Sequence, residues 1–294
     1  MRISRARVVL VLAAAACGAR GAQTAPLRVA TLSTVLSEIA REVGGSQVSV
    51  VGLVRPGVDP HSFNPSPADV RAVADAEVVL ASGLSLEAYL DRLVAASGSV
   101  GRVVAVGDAL PAAAGTQGER DPHWWHSLDC MLAATGIVQA EFARARPAAA
   151  AEFSANAEAY RARLRALKAW AAGQIGRLPP NRRHLVTSHD AFGYFARDYG
   201  FEVHAISGLS TESEADARHL AGLIDLIRRE AIPAVFAEES ANPRLVENLV
   251  RETGVRIGAT LYADGLGPPG SGAETYDSMY RHNVRAIVDA LSAR

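Results

Sequence analysis

The stretch LRVATLSTVLSEIAREVGGSQVSVVGL (residues 27–53) decides the fold. Residues 28–31 and 48–53 are short apolar runs typical of strands, and residues 35–43 between them carry apolar side chains at helical spacing. Parallel neighbours in a sheet need a crossover connection, which is usually a helix. A strand, a helix and a second strand in this order therefore predict an α/β fold with a parallel sheet.

The same alternation returns on both sides of a helical middle. Further strands are predicted at residues 78–81, 102–106, 184–187, 202–206, 234–237 and 256–261. Further helices are predicted at residues 68–74, 86–95, 191–199, 213–230, 243–253 and 275–291. Ser213 and Asp216 form a capping box for the longest of these helices. Each half of the chain is thus expected to form its own parallel sheet flanked by helices.

The middle of the chain, from residue 128 to about residue 176, has a helical pattern almost throughout. Pro147 divides this region and is expected in the first turn of the second helix. That helix, residues 148–175, would form a rod of roughly 40 Å at about 1.5 Å per residue. Such a rod either crosses from one domain to another or lies along the edge of a single domain.

Composition excludes several classes of protein. Hydrophobic residues make up 49% and charged residues 21% of the chain, which is too polar for a protein with many membrane spans. The formal net charge of -1, without a dense cluster of Lys and Arg, gives no indication of nucleic-acid binding.

The first residues predict export from the cytoplasm. Several Arg residues precede an apolar run at residues 8–16, which is shorter than the roughly 20 residues that span a bilayer. Cys17 follows directly, as in the lipobox of bacterial lipoproteins, although Ala14 stands where that motif usually has Leu. We therefore expect a signal peptide over residues 1–25, with either a lipid anchor on Cys17 or ordinary cleavage near Ala16 or Ala19.

Four potential metal ligands share one kind of position, shortly after a predicted strand. The chain has only 2 Cys, so a Cys-based zinc site is excluded and any metal must be held by His and carboxylates. In open α/β sheets, ligands bind outside the carboxyl ends of the strands. Within VRPGVDPHSFNPSP, DPHWWHS, VTSHDAFGYF and LYADGLGPPG, the residues placed there are His61, His123, His189 and Asp264. Three imidazoles and one carboxylate suit Zn²⁺ in a tetrahedral site.

Residues close to these four have competing interpretations. His126 is a spare ligand, a cap of the following helix or a solvent-facing residue. Trp124 and Trp125 are expected to form a hydrophobic wall beside the site, with an aromatic platform for carbohydrate as the alternative. Three carboxylates either accept a hydrogen bond from a ligating His or face solvent, namely Asp59, Asp190 and Glu238. Structural roles are predicted for His184, His204, His219 and His282.

From about Leu27 to its end the chain resembles the periplasmic zinc- and manganese-binding proteins of ABC transporters, the cluster A-I solute-binding family. The matching stretches are PGVDPHSFNPSP, DPHWWHS, RRHLVTSHDAFGYFARDYG, LIDLIRREAIPAVFAEESANPRLVENL and YADGLG followed by ETYDSMYRHNV. In that family the ligands are the His of DPH, the His of a PHxW-type loop, His or Glu in the TSHDAF-type segment, and Asp after the final strand. The resemblance thus implies the ligand set His61, His123, His189 and Asp264.

The chain departs from the family pattern at two places. Many members read Leu-Asp-Pro after DPHWW, whereas this chain reads His126-Ser127-Leu128. Many zinc-specific members carry a His-rich loop before the second ligand, but residues 111–120 contain no His, so an auxiliary metal-loading loop is not predicted.

The resemblance also implies an organisation and a role. It implies two α/β lobes, each with a parallel sheet flanked by helices, joined by one long helix. The expected parts are a signal peptide at residues 1–25, an N-terminal metal-binding lobe at 26–147, a linking helix at 148–177 and a C-terminal lobe at 178–294. The protein would be a monomer in the periplasm or on the outer face of the membrane. It would capture Zn²⁺, or alternatively Mn²⁺, and deliver the ion to an ABC transporter permease with its ATPase.

Two other functions stay open at this stage, a secreted zinc hydrolase and a metal-dependent adhesin. Catalytic zinc keeps one coordination position open, whereas four protein ligands close a tetrahedral site. The sequence contains neither HExxH nor G-x-S-x-G. An enzyme is therefore not predicted, and no residue specifically supports adhesion.

Overall fold

A four-stranded parallel sheet organises the N-terminal half in the computed structural model, which describes residues 25–113, 120–211 and 217–292. The spatial order is β2-β1-β3-β4. Its strands are β1 (Leu27–Thr31), β2 (Val48–Gly52), β3 (Val78–Ala81) and β4 (Arg102–Ala105). The connecting helices are α1 (Thr34–Gly44), α2 (Pro67–Asp75) and α3 (Leu90–Ser97). The βαβ unit predicted from residues 27–53 is confirmed, because β1 and β2 pair in parallel with α1 between them.

Local signals set the starts of these helices. The Ser33 side chain accepts a hydrogen bond from the Leu36 N–H, and Ser66 and Asp69 form a capping box at α2. Helix α3 begins later than predicted, at Leu90 instead of residue 86. Turns and a bend occupy residues 84–89 instead, and Leu84 and Ser85, just before the predicted start, both have positive φ, which is not a helical conformation.

Two long helices occupy the middle of the chain, α4 (Leu128–Ala145) and α5 (Ala150–Ile175), with a short 3₁₀ turn at Pro147–Ala149 between them. The 26 residues of α5 give a length of about 39 Å at about 1.5 Å per residue. The first half of α5 packs on α1, where Tyr160 donates a hydrogen bond to Glu38 at 3.0 Å. Domain boundaries at residues 147 and 177 stay predictions.

The C-terminal half contains two small parallel sheets, β5-β6 and β7-β8. Its elements are β5 (His184–Thr187), α6 (Gly193–Tyr199), β6 (Glu202–Ala205), α7 (Ala217–Arg229), β7 (Ala234–Val235), α8 (Pro243–Thr253), β8 (Arg256–Ile257) and α9 (Tyr276–Ser292). A backbone hydrogen bond of 2.9 Å from Phe236 to Val186 links the two sheets. Strands β7 and β8 are shorter than predicted because the chain beyond them bends into loops, where Glu238 and Leu261 form an isolated bridge.

One hydrophobic core runs through both halves. It includes Leu80 and Phe142 from the N-terminal half and Leu185, Phe236 and Tyr280 from the C-terminal half, all of them buried. Helix α5 contacts α9 as well as α1, and Arg281 of α9 lies 4.5 Å from the ring of Trp170. The long helix therefore packs against elements from both halves of the chain.

Several sequence predictions fall outside the described residues. They are the signal peptide with Cys17, the capping box of Ser213 and Asp216, and most of the loop at residues 111–120. Among the helices that the structure does describe, none combines the length and apolar character that crossing a membrane requires.

Candidate metal centre

His61, His123, His189 and Asp264, here called the His₃Asp cluster, come together in the structure. The Nε2 atom of His123 lies 3.1 Å from Nε2 of His61 and 3.4 Å from Nε2 of His189. Asp264 Oδ1 lies 3.3, 3.5 and 3.4 Å from the Nε2 atoms of His61, His123 and His189. A tetrahedral Zn²⁺ with bonds of about 2.0–2.1 Å holds its ligand atoms about 3.3–3.4 Å apart. The five separations therefore match the edges of a zinc tetrahedron.

Each ligand candidate lies beyond the carboxyl end of a strand, as predicted. His61 follows β2, His123 follows β4, His189 follows β5 and Asp264 follows β8. The loop of His61 is held by Asp59, whose carboxylate accepts a hydrogen bond of 2.8 Å from the His61 backbone N–H. Asp59 also accepts the hydroxyl of Thr211 at 2.5 Å, which ties this loop to the C-terminal half.

Carboxylates orient two of the imidazoles. The Nδ1 atom of His123 is 2.8 Å from Asp121 Oδ1, and Nδ1 of His189 contacts Glu238 Oε2. When Nδ1–H donates to a carboxylate, Nε2 keeps its lone pair and points it into the cluster, which is the form that binds a metal. The predicted contact of Glu238 with a cluster His is confirmed. Asp121 was missed, although the tripeptide Asp-Pro-His occurs at both 59–61 and 121–123 and could have indicated it.

Burial and charge shift the pKa values in the cluster. Burial disfavours protonation of His123 and His189, but their carboxylate neighbours outweigh it and raise both pKa values above 6.5. Burial alone would raise the pKa of Asp264, yet the charge of His189 and the contact with His123 lower it well below 3.8. Asp264 is therefore ionised at neutral pH, and the cluster attracts positive charge.

The oxygen of Asp264 that faces the three imidazoles is buried without a hydrogen-bond donor. Oδ2 accepts the Ser240 hydroxyl, whereas Oδ1 receives no hydrogen bond of acceptable geometry from any described residue. A buried ionised oxygen without a partner is costly. A bound cation at the centre of the cluster would satisfy it.

Two side chains of the Trp124–His126 segment, which follows His123, contact the C-terminal half next to Asp264. The indole of Trp125 and the His126 ring both contact the carbonyl of Ala263, each at 2.8 Å, directly before Asp264 in the chain. The Trp125 ring lies 5.4 Å from the His123 ring, so Trp125 supplies the predicted hydrophobic wall, whereas the Trp124 indole donates to the Ser82 carbonyl. Trp124 and Trp125 are 0% and 1% exposed, so a carbohydrate platform is wrong.

His126 fits none of its predicted roles. It is 1% exposed, its ring contacts Phe192, and it is not among the grouped ligand atoms of the His₃Asp cluster. Ser127, and not His126, caps α4. His126 instead anchors the loop of Asp264, because its Nε2 lies against the Ala263 carbonyl.

The remaining predicted neighbours lie outside the cluster. Asp190 is buried, and its backbone N–H donates to the Gly208 carbonyl at 3.0 Å. His219 contacts the Ala205 carbonyl at 2.7 Å, and His282 contacts the Thr260 carbonyl at 2.8 Å, in agreement with structural roles. His61 borders an open cleft of about 920 Å³ that is also lined by Leu84, Ser85, Asp108, Arg120 and Pro122. The cluster is therefore approached from solvent on the side of His61.

Residues 29–290 match the family described as ZnuA, zinc-uptake complex component A periplasmic. The chain belongs to this family. The resemblance inferred from DPHSFNPSP, TSHDAF and YADGLG is thereby confirmed.

Individual relatives agree with the family assignment. The chain is 37% identical over 274 residues to manganese-binding lipoprotein MntA of Bacillus subtilis, covering 90% of each protein. It is 34% identical to zinc-binding protein TroA of Treponema pallidum, covering 91% of this chain and 89% of TroA. The solved structure of periplasmic zinc-binding TroA superposes with a TM-score of 0.86 over 92% of this chain and 100% of that chain. The predicted two-lobe α/β fold is therefore confirmed.

Proposed function

We propose that the protein captures a single Zn²⁺ ion with four ligands, His61, His123, His189 and Asp264. The observation that supports this most directly is the set of separations of 3.1–3.5 Å among three imidazole nitrogens and one carboxylate oxygen. Orientation of two rings by Asp121 and Glu238 adds to it, because ligating imidazoles characteristically donate their other N–H to a carboxylate.

We further propose that the ion is cargo, handed to an ABC transporter permease with its ATPase, and that the protein acts as a monomer. The family and its zinc- and manganese-binding members support transport over catalysis. Four protein ligands leave no open tetrahedral position for a reactive water. The nearby carboxylates of Asp121 and Glu238 are engaged by ligand rings and are not available as general bases.

The choice of metal rests on the ligand set. Three imidazoles with one carboxylate favour a borderline ion such as Zn²⁺, whereas Mn²⁺ prefers a larger number of oxygen ligands. The relatives support either ion, since one is named manganese-binding and another zinc-binding. Mn²⁺ is therefore the alternative cargo.

Metal titration of purified protein tests the proposal. His61→Ala or Asp264→Ala should weaken zinc binding at least about 100-fold, because each removes one of four ligands. His219→Ala is the matched control, since the His219 ring contacts the Ala205 carbonyl and is not one of the grouped ligand atoms of the cluster. Tight zinc binding that is indifferent to Asp264 would contradict the ligand assignment.

We also propose that Cys17 carries a lipid anchor after removal of the signal peptide. Relatives such as MntA of Bacillus subtilis are named lipoproteins, which supports this over release as a soluble protein. The mature wild-type protein should fractionate with membranes, and Cys17→Ser should release it. A mature form that begins beyond Cys17 would rule the anchor out.

A further inference from the structure

A second group of potential metal ligands lies in the C-terminal half, away from the His₃Asp cluster. It consists of His184, Glu202 and His204, here called the strand-edge cluster, whose ligand atoms lie within 4.8 Å of one another. His184 Nδ1 is 3.2 Å from His204 Nε2 and 3.6 Å from Glu202 Oε2, and His204 Nε2 is 3.6 Å from the other carboxylate oxygen, Oε1. These separations are close to the edge of about 3.3–3.4 Å in a zinc tetrahedron.

The pairing of β5 with β6 brings these side chains together. His184 is the register partner of Glu202, and His204 lies two residues further along β6, on the same face of the strand. Glu202 and His204 on β6 and His184 on β5 therefore place three potential metal ligands on the same face of the sheet.

The two clusters lie at opposite ends of β5. His184 begins this strand, whereas His189 follows its last residue, Thr187. At about 3.3 Å per residue the two His are about 16 Å apart along the chain. The clusters share no ligand, so they can bind metal independently.

The strand-edge cluster is accessible to solvent. The side chains of His184, His204 and Glu202 are 20%, 14% and 66% exposed. A cavity of about 300 Å³ borders His204 on the side of α7. Burial lowers the pKa of His204 below 6.5, so its ring is neutral and able to bind a metal at neutral pH.

We propose that His184 Nδ1, His204 Nε2 and the Glu202 carboxylate form a second binding site for Zn²⁺ or another divalent ion that favours imidazole, such as Cu²⁺ or Ni²⁺. Three protein ligands leave one tetrahedral position for water. The second ion binds more weakly than the first, because Glu202 is largely solvated and no fourth side chain among the described residues joins the cluster. A purely structural role for the stacked His184 and His204 rings predicts no second ion.

Zinc stoichiometry in equilibrium dialysis of the whole protein separates these possibilities. Wild type should take up two zinc ions, one tight and one weak, and His204→Gln should lose only the weak one. Glu202→Gln should weaken the second step about 10-fold or more, since it removes the anionic ligand from an exposed position. His282→Gln, which alters another His in the same half that contacts the Thr260 carbonyl and belongs to neither cluster, should leave both steps unchanged.

A variant without a working His₃Asp cluster isolates the second site. Asp264→Ala should keep the weak step, and adding His204→Gln should abolish it. Cu²⁺ bound to Asp264→Ala should show an electron paramagnetic resonance signal coupled to two imidazole nitrogens that is lost when His204→Gln is added. A single zinc ion per wild-type chain at millimolar zinc, or a weak step that survives both His204→Gln and Glu202→Gln, would overturn the proposal. Far-ultraviolet circular dichroism establishes that each variant is folded.

Discussion

Asp121 fixes the tautomer and direction of a ring in the proposed zinc site. Its Oδ1 accepts both the backbone N–H and the Nδ1–H of His123, each at 2.8 Å, and the pair is fully buried. Asp121→Asn keeps the shape but removes the charge that makes the His123 ring more basic. We expect zinc affinity to fall about 10–100-fold, the usual cost of losing such a partner. Competition with a chelator of known affinity measures the change.

Asp129→Asn is the control for this substitution. Asp129 is an exposed acid on α4 that pairs with Lys168 at 2.5 Å and does not touch the cluster. Its loss should leave zinc affinity unchanged. Equal affinities for Asp121→Asn and wild type would mean that His123 is oriented by its packing against Trp125 and not by Asp121.

His189 is the position at which the site would choose between zinc and manganese. His189→Glu replaces a borderline imidazole with a second hard carboxylate, so the ratio of zinc to manganese affinity should fall at least about 10-fold, mainly through weaker zinc binding. Competition titrations of both ions on wild type and variant give this ratio.

Glu238, which contacts His189, affects the outcome of His189→Glu. The new carboxylate would lie against Glu238, which contacts His189 in the wild type, and two adjacent carboxylates repel. His189→Glu combined with Glu238→Gln removes the repulsion and isolates the effect of the ligand. An unchanged ratio in both variants would show that His189 does not bind the ion.

The sequence predicted the roles of some single residues but not of those whose role depends on a contact distant along the chain. The four cluster residues could be found because each follows a strand, and strands in a parallel sheet end at a common edge. The role of His126 could not, because it depends on the Ala263 carbonyl, which is distant along the chain. The same holds for the His184–His204 pair, which exists only because β5 and β6 are neighbours in this register.

Helices and strands were predictable where local chemistry decides them. The strands at Val78–Ala81 and His184–Thr187 and the helix at Pro243–Thr253 occur where predicted, since apolar runs, Pro and Gly define their ends. Strands β7 and β8 were predicted too long. Apolar character continues past both strands, but their regular pairing is interrupted and returns only as the isolated bridge between Glu238 and Leu261. Hydropathy does not encode that interruption.

Helix α5 and the shared core should limit movement between the halves. The helix packs on both α1 and α9, and buried apolar residues continue from one half into the other. Hinge closure would require this packing to be broken. We therefore expect small-angle scattering curves of metal-free and zinc-bound protein to superimpose apart from a small adjustment. Asp264→Ala, which should not bind zinc tightly, is the control, and a clear compaction on zinc binding in wild type alone would contradict the prediction.

The molecule as a whole should be stabilised by its cargo, since both halves supply ligands. Zinc at about 1,000 times its dissociation constant adds about 4 kcal/mol to the free energy of unfolding if it binds the folded state alone. The gain requires both halves of the folded chain, because His61 and His123 lie before α5 while His189 and Asp264 lie after it.

The stabilisation by zinc should grow as pH rises from about 7 to about 8.5. In metal-free protein the pKa values of His123 and His189 are raised above 6.5, so protonation of these rings stabilises the fold below pH 6.5. That contribution is lost as pH rises through the raised pKa values. Zinc binds deprotonated imidazole, so its affinity increases over the same interval.

Urea unfolding at pH 7 and at pH 8.5, with chelator and with buffered free zinc, measures how much zinc adds to the free energy of unfolding at each pH. His126 does not contribute to the change in stability between pH 7 and pH 8.5. Burial lowers the pKa of His126 to about 4, so its ring is neutral in the folded chain, and it is mostly neutral in the unfolded chain as well over this range. His189→Gln should flatten the pH dependence, whereas His282→Gln, which alters a partly buried His that contacts the Thr260 carbonyl, should preserve it. If metal-free stability instead rose over this interval in wild type, the carboxylates of Asp121, Glu238 and Asp264 would not be holding protons on the cluster. Zinc would then bind without displacing protons, and its affinity would be independent of pH.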